Sequence, residues 1–165
     1  MDSRPSILVV DDEQRSLESI ERILGDRFDV FTAINTEEAE KILQQQWIQV
    51  LLCDQRMPGM SGLELQEQLA AKGSILPVIM ITAFGSVETA VTALKHGAFD
   101  YLQKPLSSPD ELRMLVGRAL ERGRVEAVVT DFRDFAGDRH APEGRHRTHG
   151  DACPRVCAEF TDTIA

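Results

Sequence analysis

The chain has 165 residues, 42% of them apolar, and a formal net charge of −9 from 18 Lys+Arg against 27 Asp+Glu. That length holds one domain with a sizeable core plus an extension, and the apolar share is globular rather than disordered. The acidic balance excludes a general attraction for nucleic acid, and no apolar run approaches the roughly 18 residues of a membrane span. Cys53, Cys153 and Cys157 are too few and too odd in number for a disulfide framework. The apolar stretch behind the N-terminus, Ile7 to Val10, is too short for a signal-peptide core, which leads to the expectation of a cytoplasmic protein.

Short apolar runs and helix-spaced stretches then alternate. Ile7 to Val10 reads as a strand, followed by a helical stripe of Leu17, Ile20, Ile23 and Leu24. Val30 to Ala33 is the second strand, and Asn35-Thr36-Glu37-Glu38 starts a helix carrying Ala39, Ile42 and Leu43. Val50 to Cys53 is the third strand, followed by a helix with Leu63, Leu65, Leu69 and Ala70. Val78 to Ile81 is the fourth, and the helix after it has Ser86 as cap, a stripe of Val87, Ala90, Val91 and Leu94, and Gly97 as its stop. The fifth strand lies within Ala98 to Leu102. Three of these runs are unbroken and β-branched or Leu-rich, the pattern of strands buried on both faces of a parallel sheet.

The last helix starts at Ser108-Pro109-Asp110-Glu111, where Ser108 can cap, Pro109 suits the first helical position and Glu111 can close a capping box. Its stripe of Leu112, Leu115, Val116, Ala119 and Leu120 can continue through Val125, Val128, Val129, Phe132 and Phe135 as a linker or dimer seam. Gly117 and Gly123 weaken that continuation, and a helix ending near Gly123 is the other reading. Five strand–helix repeats make a doubly wound α/β domain over residues 1–123, with a helical extension or linker at 124–136 and a tail at 137–165 that reads as loop or disorder. The tail holds His140, His146, His149, Cys153 and Cys157, whose spacing fits no zinc template well.

In such a sheet all strand C-termini emerge at one edge. Asp11 and Asp12 follow the first strand, Asp54 the third, Thr82 the fourth, and Lys104-Pro105 the fifth. Three carboxylates crowded in one cleft repel one another, and a hard divalent cation such as Mg²⁺ relieves that repulsion. A carboxylate is also a nucleophile toward phosphorus, so Asp54 is expected to accept a phosphoryl group. Lys104 would hold one phosphoryl oxygen and Thr82 another. Cys53, next to Asp54, points to the opposite face and reads as a buried small hydrophobe. Phe84 lies on the rim of the cleft, either restricting water or docking a partner.

Over residues 5–123 the sequence resembles the response-regulator receiver family of two-component signalling. The matching residues are Asp11-Asp12, Asp54, Thr82 and Lys104 before Pro105, with Tyr101 at the family's switch aromatic. Met57-Pro58-Gly59-Met60-Ser61-Gly62 and Gly97 to Leu102 look most like receivers of the nitrogen-regulation type, which often precede an ATPase acting on an alternative sigma factor. The resemblance implies a flavodoxin-like five-stranded sheet of order 2-1-3-4-5 with five helices, and a cis Lys104–Pro105 peptide. It also implies Mg²⁺ on Asp11, Asp12, Asp54 and the backbone carbonyl of Arg56. The expected partner is a histidine kinase or phosphotransfer protein, and a homodimer would form through the fourth helix, fifth strand and fifth helix or through the extended last helix. No Gly-x-x-x-x-Gly-Lys-Ser/Thr loop and no evident helix-turn-helix occur in the chain, which reads as a stand-alone receiver, a truncated product or a fragment.

Two other classes compete. A phosphohydrolase with an aspartyl-phosphate intermediate would carry an Asp two residues after the nucleophile as its acid, where this chain has Arg56. A phosphorylation-independent interaction module would have lost one of the site residues, and all are present.

Overall fold

A computed structural model describes residues 3–83 and 85–137, with the side chains of the last helix described as far as 126. Five strands and five helices alternate strictly: β1 (Ser6–Val10), α1 (Gln14–Leu24), β2 (Asp29–Ala33), α2 (Thr36–Gln45), β3 (Val50–Asp54), α3 (Gly62–Ala71), β4 (Val78–Thr82), α4 (Val87–Lys95), β5 (Asp100–Gln103) and α5 (Pro109–Gly137). All strands pair in parallel in the order β2-β1-β3-β4-β5. The doubly wound five-stranded sheet expected from the sequence is therefore present. Backbone contacts divide the chain into one compact unit, Met1–Gly123, and a second, Arg124–Ala165.

Within the first unit the alternation of strand side chains builds two cores. Ile7 and Val9 of β1, Val50 and Leu52 of β3, and Ile79 and Ile81 of β4 face α1 and α5, meeting Leu17, Ile20, Leu24, Leu112, Val116 and Ala119. Their neighbours Leu8, Val10, Leu51, Cys53 and Met80 face the other way, against Ala39, Leu65 and Ala93 of α2, α3 and α4. β1, β3 and β4 are thus sandwiched between helices, which is why they read as unbroken apolar runs.

Helix starts follow the sequence signals. The Asn35 side chain accepts from the Glu38 N–H at 2.8 Å, and Ser108 Oγ accepts from the Glu111 N–H at 3.1 Å. Ser61 with Glu64, and Ser86 with Thr89, form reciprocal capping boxes on α3 and α4. Gly97 ends α4 at φ +94°, a conformation that favours glycine because it has no Cβ.

The structure supplies a direction that periodicity could not for α4, and overturns one of the two readings of the last helix. The apolar stripe of α4 does not enter the core: Val87 is 81% exposed, Val91 43% and Leu94 47%, while the buried residue is Ala93. Helical periodicity shows that two faces differ but not which one packs, and here the small alanine face allows close approach to the sheet. On α5, Leu112, Leu115, Val116 and Ala119 are buried and Leu120 is half-buried, but Val125 is 63% exposed. The helix does not end near Gly123, as the sequence had also allowed, but runs on to Gly137; the side chains of Val128, Val129, Phe132 and Phe135 lie beyond those described. Among the described residues no helix is long and apolar enough to cross a membrane.

Candidate functional site

The C-terminal ends of β1, β3, β4 and β5 converge on one cleft. Asp11 follows the last residue of β1, Asp54 is the last residue of β3 and Thr82 the last of β4, while Lys104 follows β5. Adjacent registers hold them in line, Val10 pairing with Cys53, Asp54 with Ile81, and Thr82 with Gln103. Asp11 is 2% exposed, Asp54 9% and Thr82 fully buried, whereas Asp12 faces solvent.

The two buried acids are each fixed by the backbone around them. The Glu13 N–H donates to Asp11 Oδ1 at 2.9 Å, and the Arg56 N–H donates to Asp54 Oδ1 at 3.2 Å. One carboxylate oxygen each from Asp11, Asp12 and Asp54 lies within 4.8 Å of the others. Three oxygens so close, two of them on buried residues, form a hard, anionic donor set. Such a set fits a divalent cation of the Mg²⁺ type and suits neither a soft nor an imidazole-seeking metal.

Lys104 is the counterweight. Its ammonium donates to Asp11 Oδ2 in a close ion pair, to Ser16 Oγ at 3.1 Å and to Asp54 Oδ2 at 3.4 Å. The Lys104 N–H is tied to the Thr82 carbonyl at 2.8 Å, and the Lys104–Pro105 peptide is cis. Burial pulls the lysine down, but its bonds to Asp11 and the charges of Asp11 and Asp54 outweigh it, so it is held above its ordinary value and stays protonated. Asp54 is pushed above the usual carboxylate range, chiefly by burial and then by Asp11, against the pull of Lys104 and the Arg56 N–H. Its charged form is thus kept in the cleft at a cost.

Tyr101 is half-buried at the edge of the same cleft. Its hydroxyl lies 3.4 Å from Gln55 Oε1 and 3.4 Å from Thr89 Oγ1. The ring occupies the space beside Gly85, where an added Cβ would fall 2.3 Å from the Tyr101 hydroxyl. Cys53 is buried in the α2–α4 core with its Sγ donating to the Asp54 carbonyl at 3.4 Å, and burial pushes its thiol far up, as suits an inert small hydrophobe.

The structure therefore brings together Asp11, Asp12, Asp54, Thr82 and Lys104, with Arg56 on the rim. Phe84 and the tail residues His140, His146, His149, Cys153 and Cys157 lie outside the described residues. Sequence reasoning missed Ser16, Gln55, Gly85 and Thr89. Ser16 sits in the first turn of α1, one helical step behind Asp12 and Glu13, and that placement was the one available signal.

Comparison with known proteins agrees with the geometry. Residues 7–117 match the response regulator receiver domain family. The response regulator protein PilR of Pseudomonas aeruginosa is 42% identical over 126 residues, which cover 76% of this chain and 28% of that protein. The chain spans between 25% and 64% of the length of eight curated relatives that it matches. Among solved structures, the signal receiver domain of a LuxO repressor protein from Vibrio parahaemolyticus superposes with a TM-score of 0.71 at 29% identity, covering 77% of this chain and 98% of that one. The beryllofluoride-activated NtrC4 receiver domain dimer does so with a TM-score of 0.67 at 34% identity, covering 72% and 98%. With the family's fold and an acid cluster at its strand ends, this chain belongs to the response regulator receiver domains of two-component signal transduction.

Proposed function

We propose that Asp54 is the phosphoacceptor of this receiver, taking a phosphoryl group from the phosphohistidine of a histidine kinase or phosphotransfer protein. The observation that carries this reading is the convergence of three carboxylates within 4.8 Å, two of them gripped by the same lysine. An Asp54 carboxylate oxygen attacks phosphorus, the bond to the imidazole nitrogen breaks, and the imidazole leaves with that electron pair. Asp11, Asp12, Asp54 and the Arg56 carbonyl would hold Mg²⁺, which, when bound, neutralises charge on the phosphoryl oxygens. Lys104 supplies the second positive charge, moving from its carboxylate partners onto a phosphoryl oxygen.

Once the phosphate is in place, Thr82 hydrogen-bonds it and Tyr101 takes the space that this movement opens. The readout is the face of α4, β5 and α5. The outward Val87, Val91 and Leu94 support that assignment, since an apolar patch left in water marks an interaction surface. A second copy of the chain or an effector domain would dock there; residues 124–136 would act as the connection onward from the receiver at 1–123.

Intact-mass analysis with acetyl phosphate and Mg²⁺ tests the reading. Wild type is expected to gain a labile adduct of about 80 Da, the mass of one phosphoryl group, and Asp54→Asn to gain none. An adduct that survives Asp54→Asn would refute the assignment of the acceptor. Arg56, standing where a phosphohydrolase would place its acid, favours a long-lived acyl phosphate over turnover of small esters.

A further inference from the structure

Lys104 is the site residue whose position is least secured by its own backbone, because four flexible methylenes separate the ammonium from the strand end. Three N–H groups leave that ammonium, and three acceptors receive them: Asp11, Asp54 and Ser16. Two are carboxylates that the chemistry claims. Asp11 belongs to the cation-binding set, and Asp54 loses its charge when it becomes an acyl phosphate. Ser16 is the one neutral acceptor and the one that comes from a helix instead of a strand end. Its hydroxyl proton is already committed, donated to Glu13 Oε2 at 3.1 Å, which leaves its lone pairs free for the lysine at 3.1 Å. The chain Lys104 to Ser16 to Glu13 is polarised in one direction, so each bond strengthens the next.

We propose that Ser16 is a positioning residue for Lys104. It holds the ammonium over the cleft while both carboxylates are drawn to other partners, and so it sets the rate at which Asp54 is phosphorylated. This inference rests on Asp54 being the acceptor. Ser16 itself touches neither donor nor phosphate; it acts through the lysine.

The test measures the initial rate of phosphorylation by acetyl phosphate at saturating Mg²⁺, read by intact mass. Wild type, Ser16→Ala, Ser16→Thr, Lys104→Ala and the double variant Ser16→Ala/Lys104→Ala are compared. Alanine is a better helix former than serine, so Ser16→Ala keeps α1 and the fold. Loss of a hydrogen bond to a charged group predicts a rate about tenfold lower in Ser16→Ala, with recovery in Ser16→Thr, which restores the hydroxyl. On the Lys104→Ala background the same substitution is expected to have no further effect, an outcome a merely structural serine would not give. Equal rates for Ser16→Ala and wild type, or an undiminished loss on the Lys104→Ala background, would overturn the proposal while leaving Asp54 as acceptor. A wild-type chain that takes no adduct would overturn both.

Discussion

Gly62 is the residue whose substitution should damage the site most for the smallest chemical change. It opens α3 directly beside the end of β3, with its N–H donating to the Gln55 carbonyl at 3.2 Å. A Cβ at residue 62 would lie 2.3 Å from the Asp54 carbonyl oxygen, 3.1 Å from the Asp54 carbonyl carbon and 2.9 Å from Cys53 Sγ. The first two are backbone atoms of a central, fully buried strand, so relief requires α3 or the strand end to move by about an ångström rather than a side chain to rotate. Overpacking of this kind costs about 1–3 kcal/mol, and a displacement of about 1 Å at a reacting group costs about a hundredfold in rate. Gly62→Ala is therefore expected to melt several degrees lower and to accept phosphate from acetyl phosphate about a hundredfold more slowly. Gly117→Ala is the control. Among the described residues, no atom outside its chain neighbours and its own helix backbone lies within 4 Å of its added Cβ, and it sits inside α5, where alanine gains up to about 1 kcal/mol over glycine. If both alanine variants were stabilised and both were phosphorylated at the wild-type rate, the packing argument would be wrong.

Three further outcomes are expected. Asp54→Asn should raise the melting temperature in metal-free buffer: the folded-state value of Asp54 lies above its unfolded value, so charging it costs stability that is lost as pH rises through that window. The gap to wild type, measured by thermal melts, should close as pH falls; a variant that melts lower at neutral pH would contradict this. Mg²⁺ at about 100 times its dissociation constant should stabilise the wild type by about 2.7 kcal/mol, and Asp11→Ala should abolish the gain. An equal Mg²⁺ effect in that variant would place the cation elsewhere. Gly85→Ala should expel the ring of Tyr101, the chain's single tyrosine, from beside residue 85, seen as a shift of its ring resonances; unchanged resonances would contradict the crowding there.

How much of this was legible in the sequence follows from what each signal encodes. Strand runs such as Val50 to Cys53 and Val78 to Ile81 are conspicuous because burial on both faces removes the polar alternation. Asp11, Asp54, Thr82 and Lys104 could be collected from four distant places because a parallel sheet delivers every strand end to one edge. Ser16 carries no such marker: a serine in the first turn of a helix is unremarkable until the lysine on β5's far side is found to reach it. Gly62 and Gly85 look like ordinary loop glycines, and their function is an absence of atoms that shows only against Asp54 and Tyr101. Gln66 had no apolar or charged signature, yet it is buried, its Nε2 donating to the His96 carbonyl at 2.8 Å while its Oε1 has no partner among the described residues. For α4 the period marked an apolar stripe without giving its direction, since periodicity does not tell an outward Val87–Val91–Leu94 face from an inward one.

That outward face also bears on how a change at Asp54 could travel. Gln55 follows Asp54 directly, its Oε1 lies 3.4 Å from the Tyr101 hydroxyl, and that hydroxyl lies 3.4 Å from Thr89 on α4. Hydroxyl bonds of full strength are about 2.7–2.8 Å long, so both links are weak and cheap to break. Weakness is what a switch needs: a two-state element tips from 1:99 to 99:1 with about 5.5 kcal/mol of differential binding, and strong bonds at Tyr101 would consume that difference before α4 moved. On either side of these two contacts stand better-fixed parts, the buried end of β3 and the capping box that ties Ser86 to Thr89 at the start of α4. Under the proposed function, a phosphoryl group on Asp54 needs only to release Tyr101 from two long contacts for a helix with three exposed apolar residues to be presented differently.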